Sequence, residues 1–218
     1  MSSAPDASAD SVVTGRAPAV ATRKRPKPGE RRVQILQVLA EMLQQPGAER
    51  VTTAALAARL AVSEAALYRH FASKAQMFEA LIDFIESSVF GLINQIGERE
   101  PAGRARAARI VAMVLQFGEK NPGMARVMVG DALVFEHQRL QQRMNQFFDK
   151  LDAALRQSLR DGALADAAEP ATLTPDADAR VRASVLTAFV VGRLQRFARS
   201  GFRRAPSEQL GACIARML

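Results

Sequence analysis

The sequence predicts an all-α protein in which an N-terminal three-helix helix-turn-helix domain precedes a larger helical domain. Beyond residue 30, apolar residues recur at helical spacing, and no segment shows sustained two-residue alternation. Ala, Leu, Gln, Arg and Glu, which favour helices, dominate the middle and the end of the chain. Two helix starts with capping residues follow each other at a separation of eleven residues, which is typical of a helix-turn-helix.

Residues 1–29 are predicted to form a disordered arm that is basic at its inner end. They lack apolar periodicity, and residues 23–28 read Arg-Lys-Arg-Pro-Lys-Pro. The net charge of the chain is +8, and residues 1–75 hold 11 Lys and Arg against 6 Asp and Glu. This distribution suits a nucleic-acid partner for the first third of the chain. The arm either adds non-specific phosphate contacts or is a solvated tail, and the tail is the preferred interpretation for residues 1–20.

The first predicted helix begins at Glu30 and ends near Gln45-Pro46-Gly47. The others are predicted over about 52–59, 63–70, 73–99, 104–119, a segment after Asn121-Pro122-Gly123, 131–160, 177–199 and 207–217, with a loop over 161–176. No apolar run approaches the roughly 20 residues of a membrane span, and the N-terminus has no hydrophobic signal segment. The single cysteine, Cys213, allows no intramolecular disulfide, so we expect a soluble cytoplasmic protein.

The two short helices carry matching start signals. Thr52 is a good N-cap with Val51 and Leu56 at the hydrophobic staple positions, and Ser63 is a second N-cap with Val62 and Leu67 as its staple. The turn between them places Ala61 where a residue at positive φ is often needed, which would cost about 1 kcal/mol.

The second short helix has one face for the core and one for a ligand. Leu67 and Phe71 lie four residues apart and are predicted to point inward. The opposite face then carries Ala65 and Arg69, flanked by Ala66 and Tyr68. A small residue at 65 allows close approach to DNA, Arg69 and Tyr68 can reach bases or phosphates, and the N–H groups near Thr52 and Thr53 suit a phosphate.

Two features of the later helices indicate protein partners. Phe84 lies about a third of a turn off the apolar stripe of the 73–99 helix, so it either fills a second packing interface or faces a partner. The 177–199 helix is apolar around nearly its whole circumference, which predicts burial against a second copy, with a central helix in a monomer as the alternative. The residues predicted for this dimer interface are Val185, Phe189, Gly192 and Phe197.

No catalytic or metal-binding constellation emerges from the sequence. His70 lies within the helix-turn-helix and His137 on a predicted polar helix face, and neither has a second His or a Cys at metal-ligand spacing. A glycine-rich phosphate loop is absent from the sequence. We therefore expect a protein that is not an enzyme and that needs no cofactor or metal.

The stretch from Thr53 to Lys74, with its Tyr-Arg-His-Phe block followed by Ser-Lys, resembles the N-terminal domain of the TetR family. The resemblance implies a three-helix DNA-binding domain over 30–75, a helical dimerisation domain over 76–218, and phosphate contacts from Tyr68, His70 and Lys74. The full set of residues predicted to contact double-stranded DNA is Arg31, Arg32, Thr52, Thr53, Ser63, Ala65, Ala66, Tyr68, Arg69, His70 and Lys74.

The segments 84–86, 117–123, 132–136 and 139–146 further resemble the nucleoid occlusion factors of the TetR family. Such proteins bind chromosomal sites as dimers and antagonise polymers of the tubulin-like division protein FtsZ. The resemblance therefore implies a nucleoid-associated homodimer with an FtsZ-binding surface at Phe84, Met113, Lys120 and Asn121, and with no small-molecule ligand. The alternative is a metabolite-responsive repressor, which would need an apolar cavity within residues 104–200.

Overall fold

The computed structural model describes residues 29–45, 50–165 and 174–218, and all regular structure in these ranges is helical. The helices are α1 (Glu30–Leu43), α2 (Thr53–Leu60), α3 (Glu64–Tyr68), α4 (Lys74–Arg99), α5 (Gly103–Lys120), α6 (Pro122–Met128), α7 (Gln138–Ala165), α8 (Pro175–Arg199) and α9 (Leu210–Met217). The predicted all-α fold is confirmed. Of the predicted basic arm, residues 1–28 lie outside the described residues.

The starts of α2 and α3 are stabilised as the sequence predicts. The Thr52 hydroxyl oxygen accepts a hydrogen bond from the Ala55 N–H at 3.1 Å, and the Ser63 hydroxyl oxygen accepts one from the Ala66 N–H at 3.2 Å. Each bond satisfies an N–H group that has no partner within its helix. The two caps thereby fix where each short helix begins.

The turn between α2 and α3 is left-handed at Ala61, with φ 53° and ψ 49°. The Ala61 and Val62 N–H groups donate to the carbonyl oxygens of Ala58 and Ala57, at 3.1 and 3.0 Å. This is the hydrogen-bond pattern of a Schellman motif, in which glycine usually occupies the left-handed position. The prediction of positive φ at Ala61 is therefore confirmed, and the alanine there is strained.

Replacing Ala61 by Gly is expected to raise the free energy of unfolding by about 0.5–1 kcal/mol, since relief of the strain exceeds the added entropy of the unfolded chain. The midpoint of thermal unfolding should rise by about 1–3 °C in a protein of this size. Ala58→Gly is the matched control, because Ala58 is exposed on α2 and helical, and it should destabilise by about 1 kcal/mol. Equal shifts in the two variants would contradict the assignment of strain to Ala61.

The helices beyond α4 pack into one bundle. The helices α7 and α8 pack along each other, α5 contacts both of them, and α4 covers α5 and α7. The short α6 contacts both α1 and α8, so it joins the helix-turn-helix to the bundle. Buried apolar side chains form one continuous core from Ile35 in α1 to Phe197 in α8.

The entry into α7 differs from the sequence prediction of a helix from residue 131. Gly130 adopts φ 83° at the end of α6, and a 3₁₀ turn over Asp131–Leu133 follows. His137 then precedes α7, and its Nδ1 accepts a hydrogen bond from the Arg139 N–H at 3.3 Å. His137 therefore lies at the start of α7 rather than on a polar helix face.

The predicted loop over 161–176 is also shorter than expected. Helix α7 continues to Ala165 and α8 begins at Pro175, which leaves residues 166–173 outside the described part of the chain. Across the described ranges, no helix has the length and apolarity that a bilayer span requires.

Candidate nucleic-acid interface and partner groove

The outer face of α3 is open to solvent. Ala65 and Arg69 are exposed, and Tyr68 is 45% exposed. On the inner face, Leu67 and Phe71 are each 1% exposed. The division between a core face and a ligand face thus agrees with the helical spacing, while Ala66 and His70 lie half-buried between the two faces.

Hydroxyl groups lie at the N-termini of α2 and α3, and one of them links the two helices. The Thr53 Oγ1 donates to Glu64 Oε2 at 2.6 Å, which fixes one helix start against the other. Thr52 and Ser63 use their oxygens as cap acceptors, and both residues are exposed. Each of these two hydroxyls retains its O–H donor for a phosphate oxygen.

The basic residues of α1 that were predicted to contact DNA make contacts within the domain. Arg31 Nη1 donates to Gln34 Oε1 at 2.7 Å. The Arg32 guanidinium donates to the His70 carbonyl oxygen and lies over the Phe71 ring, 4.1 Å from its centroid. Arg32 therefore fastens α1 to the end of α3.

Lys74, also predicted to contact a phosphate, forms an ion pair with Glu136, and its Nζ lies 5.6 Å from the centroid of the Phe78 ring. The Lys74 side chain is only 21% exposed and that of Glu136 is 11% exposed. The pair connects the first turn of α4 to the segment before α7. A phosphate contact from Lys74 would require this pair to open.

A groove of about 450 Å³ lies between α1, α4 and the junction of α5 with α6. Phe84 stands in its wall and is 48% exposed, and Val33 on the α1 side is 65% exposed. The full lining is Val33, Leu36, Gln37, Ala40, Glu41, Gln44, Leu81, Phe84, Asn121 and Met124. Exposed apolar surface enclosed by polar side chains is typical of a peptide-binding groove.

The walls of this groove are held closely together. A Cβ atom added to Gly123 would lie 2.1 Å from the Ala40 carbonyl oxygen, so α6 meets the backbone of α1 directly. Arg126 Nη1 donates to the Leu43 carbonyl oxygen at 3.2 Å. The α1 wall was not predicted, because only the packing of α6 on α1 brings Val33 and Leu36 opposite Phe84.

The structure brings together only part of the predicted partner-binding set. Phe84 and Asn121 line the same groove. Lys120 is exposed next to Asn121 at the end of α5. Met113 lies about two helical turns earlier on α5, is half-buried and packs against the core, outside the groove lining.

Ion pairs fix the α4 segment that carries Phe84 against α7. Arg143 contacts Asp83 at 2.9 Å and Glu86 at 2.5 Å. Burial works against the charged guanidinium, but the hydrogen bonds and charges of Asp83 and Glu86 outweigh it and raise the pKa of Arg143. The backbone on both sides of Phe84 is thereby held in place.

Helix α8 has one packed side and one open side, rather than being buried all round. Val181 and Val185 are 53% and 47% exposed, while Phe189 and Gly192 are half-buried. Gly192 lines a shallow groove along α7 and α8. An exposed apolar helix face of this kind suits a second copy of the chain.

Phe197, which was predicted for the dimer interface, lies elsewhere. It is 3% exposed and packs edge-to-face on Phe202, with ring centroids 5.1 Å apart. The chain reverses at Gly201 and Phe202, both at positive φ, and this reversal returns the Phe202 ring onto α8. Phe197 is thus a core residue of a single chain.

Two family models match the chain. Residues 35–81 match the model described as bacterial regulatory proteins, tetR family, and residues 103–215 match the tetracyclin repressor-like, C-terminal domain of the SlmA-like type. The first range contains α2, α3 and the turn between them. The second covers α5 to α9 almost completely.

Curated relatives extend over both domains. The nucleoid occlusion factor SlmA of Cronobacter sakazakii is 48% identical over 183 residues, which cover 84% of this chain and 90% of the relative. The nucleoid occlusion factor SlmA of Idiomarina loihiensis is 44% identical over 182 residues, with 84% and 90% covered.

Solved structures share the fold at low identity. The TetR family transcriptional regulator PfmR from Thermus thermophilus superposes with a TM-score of 0.67 at 19% identity, covering 85% of this chain and 94% of that one. The transcriptional regulator FadR from Bacillus subtilis, in complex with stearoyl-CoA, gives 0.65 at 13% identity, with 85% and 96% covered. These likenesses establish the architecture alone.

Proposed function

The chain belongs to the SlmA family of TetR-type proteins, and from this premise we propose that it is a nucleoid occlusion factor. In this proposal a dimer binds chromosomal sites through α2 and α3 and inhibits FtsZ ring assembly over the nucleoid. The protein works by binding two partners at once and not by catalysis. The observation that carries the proposal is the exposed Phe84 in a groove beside the helix-turn-helix, within a chain 48% identical to SlmA of Cronobacter sakazakii.

The face of α3 supports the DNA-binding part of the proposal. Ala65 leaves room for the helix to enter the major groove, and Arg69 offers a guanidinium that can reach guanine or phosphate. Tyr68 and the capping residues Thr52 and Ser63 add hydroxyl donors at the edge of this face. A two-fold dimer through the open side of α8 would present two such faces about 34 Å apart.

The position of the groove supports the FtsZ part of the proposal. One wall comes from α1 of the DNA-binding region, and the other comes from α4 and the α5–α6 junction. An extended or helical peptide can place apolar side chains against Phe84, Leu81 and Val33 and polar groups on Asn121. A partner bound there stays next to the DNA-bound face, which is the arrangement that nucleoid occlusion needs.

Replacing Phe84 by Ala is expected to remove most binding to FtsZ polymers, because truncating an aromatic anchor in a groove costs about 2 kcal/mol or more, a loss of about 30-fold. Duplex affinity should stay within about twofold, since Phe84 lies on α4 outside the α3 face. Co-sedimentation with FtsZ polymers and fluorescence anisotropy with duplex DNA measure the two quantities.

Phe135→Ala is the matched control. Phe135 is 63% exposed and lies outside the groove lining. The control variant therefore removes an exposed phenyl ring from a surface other than the groove. It should keep both activities. If Phe84→Ala and Phe135→Ala sediment with FtsZ equally well, the groove is not the FtsZ site.

The packing of the bundle favours this function over a metabolite-responsive repressor. Between α5, α7 and α8, side chains with at most 1% of their surface exposed form part of the continuous core. These include Val111, Val114, Leu155, Leu186 and Val190. The groove at Phe84 and the shallow groove along α7 and α8 are open to solvent and lie outside this core.

A further inference from the structure

The end of α8 and the segment after it carry a dense run of arginines. Residues 193–204 include five arginines, and no acidic residue occurs between 193 and 207. Four of these arginines are exposed, namely Arg196, Arg199, Arg203 and Arg204, and we call these four the arginine cluster. Neither the DNA-binding face nor the groove accounts for this concentration of charge.

The segment that carries the arginine cluster has a fixed backbone. The Ser200 Oγ accepts hydrogen bonds from the N–H groups of Arg203 and Arg204, at 3.1 and 3.0 Å. Phe202 is held at φ 64°, a strained value for a non-glycine residue, by packing its ring on Phe197. The backbone of Arg203 and Arg204 is therefore held in a defined conformation by these contacts.

The described part of the chain supplies no counter-charge to the arginine cluster. In the three ranges that the structure describes, none of its four guanidinium groups forms an ion pair with a carboxylate. Of the nearby acids, Glu119 accepts a hydrogen bond from the Ser207 hydroxyl at 2.5 Å, and Glu208 is exposed. Exposed arginines without a carboxylate partner are available to an external anion.

The location of the arginine cluster connects it to the groove. A Cβ atom at Gly118 would lie 2.4 Å from Leu194 Cδ2, so the end of α5 lies against the end of α8. The bond between Ser207 and Glu119 ties the segment after α8 to the same point. Lys120 and Asn121 come directly after Glu119 in the sequence, and Asn121 lines the groove.

We propose that the arginine cluster binds an acidic peptide segment of the protein whose apolar segment occupies the groove. The inference rests on the proposed function, because it assigns a second contact to the same partner. Guanidinium groups bind carboxylates in bidentate fashion, so arginine suits this role better than lysine. Duplex DNA is the less favoured anion, since the segment that carries the cluster contacts the end of α5 while the DNA-binding face is on α3.

The test compares two full-length double variants that each remove two positive charges. R203Q/R204Q alters the arginine cluster. R99Q/R160Q alters exposed arginines at the other end of the bundle, where α5 begins beside α7. A fluorescein-labelled dodecapeptide rich in glutamate serves as the probe for anisotropy titration, and duplex DNA affinity and FtsZ co-sedimentation are measured alongside it.

R203Q/R204Q should bind the acidic peptide about tenfold more weakly than the control variant, and its affinity for FtsZ polymers should fall in parallel. Equal peptide binding by the two variants would overturn the proposal. So would a loss of duplex affinity in R203Q/R204Q with unchanged peptide binding, since the cluster would then be a DNA contact. If the unmodified protein fails to sediment with FtsZ while the peptide difference persists, FtsZ is refuted as the partner and the acidic-peptide site stands.

Discussion

Replacing Ala65 by Glu is expected to lower the affinity for duplex DNA by about 100-fold or more, because a carboxylate facing the DNA places like charges together at a cost of several kcal/mol. Ala65 is exposed in the first turn of α3, at the centre of the outer face. An acid in the first turn is favoured by the helix dipole, so the fold should be unaffected. Anisotropy with labelled duplex DNA and thermal unfolding measure the two effects separately.

Ala105→Glu is the control for this substitution. Ala105 is also exposed in the first turn of a helix, but on α5 at the opposite end of the bundle. It should keep the affinity for duplex DNA within about twofold, because a charge this distant is largely screened at physiological salt. Equal losses of affinity in the two variants would show that net charge, and not the α3 face, determines binding.

Replacing Gly103 by Ala is expected to destabilise the protein by about 3 kcal/mol, at the upper end for overpacking, because the new methyl group meets backbone atoms that cannot rotate away. A Cβ atom there would lie 2.2 Å from the Ser158 carbonyl oxygen and 2.5 Å from the Gly162 nitrogen. The start of α5 would have to move away from α7. Thermal unfolding should show a decrease of about 6–12 °C in the midpoint.

Replacing Gly97 by Ala adds the same methyl group but is expected to have the opposite effect on stability. Gly97 lies within α4, and a Cβ atom there has no neighbour within 4 Å. Alanine in a helix with free space around it should stabilise by about 0.5–1 kcal/mol. A stabilised Gly103→Ala variant would mean that α5 and α7 do not approach as closely as the structure shows.

Local features of the helix-turn-helix could be predicted from sequence because their causes lie within a few residues. The caps at Thr52 and Ser63 depend on neighbours three residues away, and the left-handed Ala61 depends on the spacing between two helices. Helical periodicity also placed Phe84 off the apolar stripe of α4, which left a second packing interface and a partner-facing position open. The structure shows Phe84 48% exposed in the wall of the groove.

Features that depend on contacts across the chain could not be predicted. The α1 wall of the groove requires the close contact of Gly123 with Ala40, which are 83 residues apart. Lys74, for which the family resemblance implies a phosphate contact, is paired with Glu136, 62 residues away. Phe197 packs against Phe202, which the turn after α8 returns to it.

The central claim is that one dimer holds DNA and FtsZ at the same time, and capture of FtsZ on immobilised DNA tests it most directly. Duplex DNA selected by the protein from a random pool is fixed to beads, and FtsZ polymers are added with or without the protein. The unmodified protein and Phe135→Ala should retain FtsZ on the beads, while Phe84→Ala should bind the DNA and retain none. DNA-bound, unmodified protein that captures no FtsZ would contradict the claim.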